Sequence, residues 1–173
     1  MNQIRKIVLA GLMIALAIIL PFATGQIPQI GSMLLPMHIP VLLCGFICGW
    51  KYGLAVGFIV PLLRSMMFGM PPMMTAIAMA FELAAYGVIT GLLYKVLPGK
   101  KVKVYISLIV AMIVGRIVWG LVSLVIYGIT NAVFTWQIFI GGALINAIPG
   151  IILQLIVVPA LVLVIEKNWR NIA

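Results

Sequence analysis

The chain has 173 residues, of which 65% are hydrophobic and 8% are charged. This composition excludes an ordinary soluble domain, in which roughly a quarter of the residues are charged. The formal net charge of +9 comes from 11 Lys and Arg against two acidic residues, Glu82 and Glu166. In a membrane protein such an excess reports topology rather than a nucleic-acid surface.

About 20 apolar residues cross a bilayer as a helix. The chain therefore predicts an all-α integral membrane protein, a bundle of six transmembrane helices in a single domain over residues 1–173. The first segment begins like a signal peptide, but no small-residue cleavage site follows it, so we expect a retained helix. The second span is short, and Pro61 is expected to kink the third. The predicted spans are Ile4–Leu20, Met37–Trp50, Gly53–Phe68, Met74–Leu97, Val104–Ile129 and Trp136–Ile165.

Lysine and arginine residues outside the spans fall on alternate connections. They precede the first span, lie between the second and third and between the fourth and fifth, and follow the sixth. The connections 21–36, 69–73 and 130–135 contain none. Positive charge marks the cytoplasmic side of a membrane, and an even number of spans returns the chain to its starting side. Both observations predict cytoplasmic termini.

Three charged residues lie inside the predicted spans: Arg64, Glu82 and Arg116. Such charges are costly and usually face a partner or a cavity. All three fall in the outer half or at the midplane, where His38 begins the second span and Asn146 lies in the sixth. A structural Glu–Arg pair would leave one cation unexplained, and a spare Arg suits a carboxylate or phosphate of a ligand. The predicted substrate-binding residues are Glu82, Arg116, Asn146, Arg64, His38, Met70 and Tyr86.

Two further features have more than one interpretation. Five methionines lie between residues 66 and 74, and they suit packing, a flexible lid over an organic ligand, or soft ligation of haem iron or Cu(I). Gly11 and Ala15 form a small-residue face on the first span. Another helix, internal or from a separate subunit, can approach closely there.

Catalytic motifs are absent from the sequence. There is no phosphate-binding loop of the Walker type, no Ser–His–Asp set and no H-E-x-x-H motif. We therefore expect no ATPase site or other catalytic residues, no cofactor, no metal and no nucleic-acid partner. A transport subunit, an autonomous facilitator or channel, an intramembrane enzyme and a structural membrane anchor are the functions that the residues leave open.

Several segments resemble the substrate-binding S components of energy-coupling-factor (ECF) vitamin transporters, and the resemblance covers nearly the whole chain. The segments are I-V-L-A-G-L-M-I-A-L-A in the first span, residues 34–57, G-R-I-V-W-G at 115–120 and N-A-I-P-G-I-I-L-Q at 146–154. The resemblance implies a multi-pass protein of a prokaryotic plasma membrane that captures a micronutrient from outside. It also implies delivery through a transmembrane coupling subunit and two ATPase subunits, with Gly11 and Ala15 at the coupling subunit.

The resemblance further implies a ligand site in the outer half, formed by spans four to six and the first and third outer loops. The two Arg favour a small acidic vitamin such as pantothenate. A vitamin B6 form is an alternative, with Glu82 available for a pyridinium or amine. Haem is another, with His38 and a Met near the iron.

Overall fold

A computed structural model describes residues 2–24, 33–99, 101–129, 135, 140–141 and 146–172. Within these ranges the regular secondary structure is helical and contains no strand, which confirms the predicted all-α fold. Met1, residues 25–32 and 130–134 of the predicted connections, Lys100, residues 136–139 and 142–145 of the predicted sixth span, and Ala173 lie outside the described part. The helices are α1 (Gln3–Ile19), which continues into a 3₁₀ turn (Leu20–Thr24), α2 (His38–Cys48), α3 (Trp50–Phe68), α4 (Met73–Val96), α5 (Val102–Ile129) and α6 (Ile148–Ile172).

Five of these helices are long and apolar enough to cross a membrane: α1 with its 3₁₀ turn, α3, α4, α5 and α6. The remaining helix, α2, has 11 residues. At 1.5 Å per residue it is about 16 Å long, roughly half the thickness of a bilayer's hydrocarbon core. The second predicted span is therefore a helix that is too short to cross on its own.

Helix α2 occupies the centre of the bundle. It packs against α1, α3, α4 and α6, and nine of its 11 residues are buried. A helix covered by protein need not match the bilayer thickness, because its ends are not exposed to lipid. The short second helix thus forms the core around which the longer helices pack.

Two of the helix boundaries that differ from the predicted ones have a local cause. The break between α2 and α3 is at Gly49, whose φ of 94° is readily adopted by glycine, and α3 begins at Trp50 rather than Gly53. Asn146 lies in a turn before α6 and donates its N–H to the Gly141 carbonyl at 3.0 Å. The predicted span from Trp136 to Ile165, in which Pro149-Gly150 and Pro159 are expected to break the regularity, is therefore interrupted at Asn146, since Asn favours turns over helix interiors.

Glycines bring α2, α3 and α4 into backbone contact. A Cβ on Gly87 of α4 would lie 2.2 Å from the carbonyl carbon of Gly53 on α3. A Cβ on Gly57 would meet the α4 backbone at 2.3 Å, and one on Gly45 of α2 would lie 2.7 Å from the Gly87 oxygen. Only glycine permits such close approach of two helices. These backbone contacts form a glycine seam between α2, α3 and α4. The G-x-x-x-G spacings at 53–57 and 87–91 are its signal in the sequence.

Cationic residues share one end of the bundle. Lys103 Nζ is 3.7 Å from Glu166 Oε1 and 3.9 Å from the ring centroid of Tyr94, whose hydroxyl donates to the same carboxylate. These contacts join the end of α4, the start of α5 and the end of α6. The start of α3 reaches this end too, because a Cβ on Gly91 would lie 2.3 Å from the Trp50 nitrogen. The charged connections after α2 and after α4, together with the end of α6, thus form a basic end of the bundle.

The glycine seam predicts a strong effect of one added methyl group. We expect Gly87→Ala to force α3 and α4 apart and to lower the apparent Tm of the detergent-purified protein by roughly 2–12 °C. Gly128→Ala is the matched control, because a Cβ at this α5 glycine meets nothing within 4 Å. Equal thermal stability of the two variants would show that the seam does not hold the helices together.

Candidate functional site

Glu82 of α4 is the centre of a buried polar cluster. Its Oε1 atom is 2.8 Å from Nη1 of Arg116 on α5 and accepts a hydrogen bond of 2.9 Å from the Tyr86 hydroxyl. The Nε2 atom of His38 lies 3.7 Å from the same oxygen, which is beyond a normal hydrogen bond. The structure therefore brings together four of the predicted site residues, Glu82, Arg116, Tyr86 and His38, from three helices.

Local geometry places these side chains. Glu82 and Tyr86 are four residues apart on α4, so they share one helix face. Gly115 on α5 makes room for the tyrosine ring, because a Cβ there would lie 2.1 Å from Tyr86 Cε1. His38 begins α2, donates its backbone N–H to the Leu35 carbonyl at 3.0 Å, and stands 5.4 Å from the Tyr86 ring, centroid to centroid.

Four nitrogens of this cluster are buried and have no hydrogen-bond partner within the described ranges. They are Nδ1 and Nε2 of His38 and Nε and Nη2 of Arg116. Buried polar atoms are almost always hydrogen-bonded, so a group of exceptions indicates a place for water or a ligand. The Arg116 side chain is 12% exposed and that of Glu82 is 1% exposed. Arg116 is thus the more accessible partner of the ion pair.

A cavity of about 260 Å³ lies between α4 and α5, and its wall begins one helical turn along each helix from the cluster. Ala78 in its wall is one helical turn from Glu82, and Trp119 is one turn from Arg116. The lining residues are Met74, Thr75, Ala78, Trp119, Ser123, Ile126 and Tyr127.

The hydroxyl-bearing residues of the cavity wall were not predicted as site residues. Their signal in the sequence is their helical spacing from the charged residues. Ser123 lies two turns beyond Arg116 on α5, and Thr75 lies two turns before Glu82 on α4. Trp119, which falls away from the predicted span ends where interfacial aromatics concentrate, belongs to the same wall.

Arg64 lies in a different environment from Glu82. Its Nη1 atom donates to the Ile18 carbonyl at 2.5 Å, and its guanidinium carbon is 5.0 Å and 5.4 Å from the ring centroids of Phe22 and Phe68. Cation–π contacts and a carbonyl at a helix end stabilise this cation without a carboxylate. Arg64 therefore does not share the Glu82 carboxylate with Arg116, and it joins the C-terminal ends of α1 and α3.

The other predicted site residues are outside the cluster. Asn146 is exposed in the turn before α6, and Met70 is 38% exposed in the connection after α3. Neither contacts Glu82 in the part of the chain that the structure describes, so both stay predictions. The described residues also contain no group of three or more His, Cys, Asp or Glu that could hold a metal ion.

The buried ion pair predicts a non-additive effect on stability. Removing either partner leaves an unpaired buried charge, which costs about 3–5 kcal/mol. We expect Glu82→Leu and Arg116→Met each to lower the apparent Tm in detergent by roughly 6–20 °C. The double variant should lose clearly less than the sum of the two, because it leaves no stranded charge. Strictly additive losses would contradict the coupling.

Comparison with known proteins then identifies the family. The family model "ECF transporter, substrate-specific component" matches residues 5–162, from α1 into α6. No curated protein and no solved structure gives a match. Because the matched segment covers most of the chain and includes the whole polar cluster, this protein belongs to the substrate-specific components of ECF transporters, which are substrate-binding subunits of membrane importers.

Proposed function

We propose that this chain captures a micronutrient from outside a prokaryotic plasma membrane and delivers it inward through a coupling subunit and two ATPase subunits. The observation that carries the proposal is the cavity between α4 and α5, whose wall at Trp119 is one helical turn from the partly exposed and incompletely bonded Arg116. A concave site with a few convergent polar groups is the usual form of a small-molecule site.

The orientation of the cavity supports capture from outside. Met74 and Thr75 lie at the start of α4, and Tyr127 lies near the end of α5. These helix ends are opposite to the basic end that contains Lys103. With the basic end in the cytoplasm, as the distribution of Lys and Arg favours, both chain termini are cytoplasmic and the cavity belongs to the outer half of the membrane.

A small acidic vitamin such as pantothenate is the substrate that the site favours. The cavity volume of about 260 Å³ is just below the roughly 300–1,000 Å³ of pockets for drug-sized ligands, which favours a small molecule. A vitamin B6 form that binds through Glu82 is the second candidate, but this carboxylate is 1% exposed and already contacts Arg116 and Tyr86. Haem is disfavoured by the size of the cavity and by the 1% exposure of His38.

The exposed face of α1 suits the coupling subunit. Gly11 and Ala15 are both exposed, and a Cβ on Gly11 would meet nothing within 4 Å. Large apolar side chains surround these two positions on the same helix, and a small-residue stripe within an apolar face allows a second helix to approach closely. The exposed apolar residues of α1 are Ile4, Ile7, Val8, Leu12, Leu16 and Ile19.

Native mass spectrometry of the detergent-purified protein tests capture directly. We expect one small molecule to co-purify with the wild type and to be lost in Arg116→Met, because the variant removes the only cation of the cluster. Ile113→Met, an exposed position one turn away on α5, should retain the molecule. An equal loss from both variants, or retention by both, would exclude Arg116 as a ligand contact.

Bulky substitutions on the small-residue face of α1 should affect substrate uptake but not substrate binding. We expect Gly11→Leu combined with Ala15→Leu to abolish vitamin uptake by cells that express the whole transporter, while the purified variant binds its substrate with unchanged affinity. Ala160→Leu, at an exposed alanine of α6, is the control and should transport normally. Normal uptake by the α1 double variant would refute the proposed interface.

An autonomous facilitator is the competing function. It predicts substrate flux into liposomes that contain this chain alone, whereas the capture function predicts flux only when the coupling and ATPase subunits are present.

A further inference from the structure

One nitrogen of the Arg116 guanidinium has a partner within the described ranges, and the other two have none. The Nη1 atom pairs with Glu82 at 2.8 Å. The Nε and Nη2 atoms form the other edge of the planar group, and both are buried without a hydrogen-bond partner within the described ranges. Two parallel N–H donors on one edge match the two oxygens of a carboxylate in a bidentate arrangement.

No side-chain carboxylate of the protein is available for that edge. The chain contains two acidic side chains, Glu82 and Glu166. Glu82 already binds the Nη1 atom. Glu166 lies at the basic end, where Lys103 and Tyr94 contact it. A carboxylate on the free edge of Arg116 must therefore come from another molecule.

Glu82 is placed to orient Arg116 rather than to contact that molecule. Its side chain is 1% exposed, against 12% for Arg116, so Glu82 is the less accessible partner of the pair. Tyr86 donates to the Oε1 atom of Glu82 at 2.9 Å and limits its movement. Gly115 in turn leaves the space that the Tyr86 ring occupies. This chain of contacts limits the rotation of the guanidinium, and Trp119 in the cavity wall is one helical turn along α5 from Arg116.

We propose that the captured micronutrient carries a carboxylate that binds in plane to Nε and Nη2 of Arg116, and that Glu82, Tyr86 and Gly115 are positioning residues that do not touch it. This inference rests on the proposed capture function and names the substrate class of the same site. A neutral amide or alcohol cannot accept both N–H groups through two equivalent anionic oxygens, so the site selects acids over their neutral analogues.

Calorimetric titration of the purified full-length protein with matched pairs tests the inference. The probes are pantothenate with pantothenol, its alcohol analogue, and nicotinate with nicotinamide; pyridoxine is the non-acidic vitamin. We expect at least one acid to bind roughly tenfold or more tightly than its neutral analogue, which is the strength of one charge-assisted hydrogen bond. Arg116→Lys keeps the positive charge but loses the two parallel N–H donors of the guanidinium. It should reduce the ratio of acid affinity to neutral-analogue affinity at least fivefold.

Variants of Glu82 separate positioning from direct contact. Glu82→Gln keeps an oxygen that accepts from Nη1, so it should bind the acid within about threefold of the wild type, or more tightly because a competing anion is gone. Glu82→Ala removes the acceptor and should weaken acid binding about tenfold. This pair also tests the inference if Arg116→Lys does not fold.

Three results would overturn the inference. In the first, pantothenol, nicotinamide or pyridoxine binds as tightly as the acids. In the second, Glu82→Gln abolishes acid binding while Arg116→Lys preserves the acid-to-neutral ratio. Under either of these the capture function stands. If none of the five probes binds and no vitamin is taken up by cells with the whole transporter, the capture function fails together with the inference.

Discussion

The ion pair between Glu82 and Arg116 is the interaction on which the rest of the site depends. In a low-dielectric interior each charge is costly alone and strongly attracted to the other, so α4 and α5 must hold them at contact distance. The 2.8 Å separation fixes the axial position of α4 relative to α5 at the level of the pair. Every other feature of the site, from the hydroxyl of Tyr86 to the cavity between α4 and α5, is placed relative to that pair.

Different forces stabilise the two sides of α4. Toward α2 and α3 it makes backbone contacts at glycines such as Gly87, which need no polar group and leave no space. Toward α5 it presents the ion pair and then a cavity lined partly by hydroxyl groups. A close-packed face on one side and a polar, partly open face on the other is suited to a subunit that must be stable in lipid and still accept a small molecule.

Much of this arrangement could be predicted from the sequence, because hydropathy and the distribution of Lys and Arg report directly on spans and topology. Glu82 and Arg116 could be expected to face a partner or a cavity because charges inside spans are rare and expensive. The environment of Arg64 could not be predicted, since its partners are a backbone carbonyl and two aromatic rings that only the fold brings together. The same holds for Asn146, where a local turn interrupts an apolar run that hydropathy alone cannot divide. The break between the second and third spans was predicted, but after Trp50 rather than at Gly49.

The central claim is that Arg116, held by Glu82, binds the substrate through its free edge. The most direct measurement is an experimental structure of the protein with the small molecule that co-purifies with it. We expect two carboxylate oxygens of that molecule within hydrogen-bond distance, about 2.7–3.2 Å, of Nε and Nη2 of Arg116, with Glu82 still on Nη1. A ligand that contacts Glu82 directly, or one that lies between other helices and leaves the Arg116 edge unbound, would contradict it.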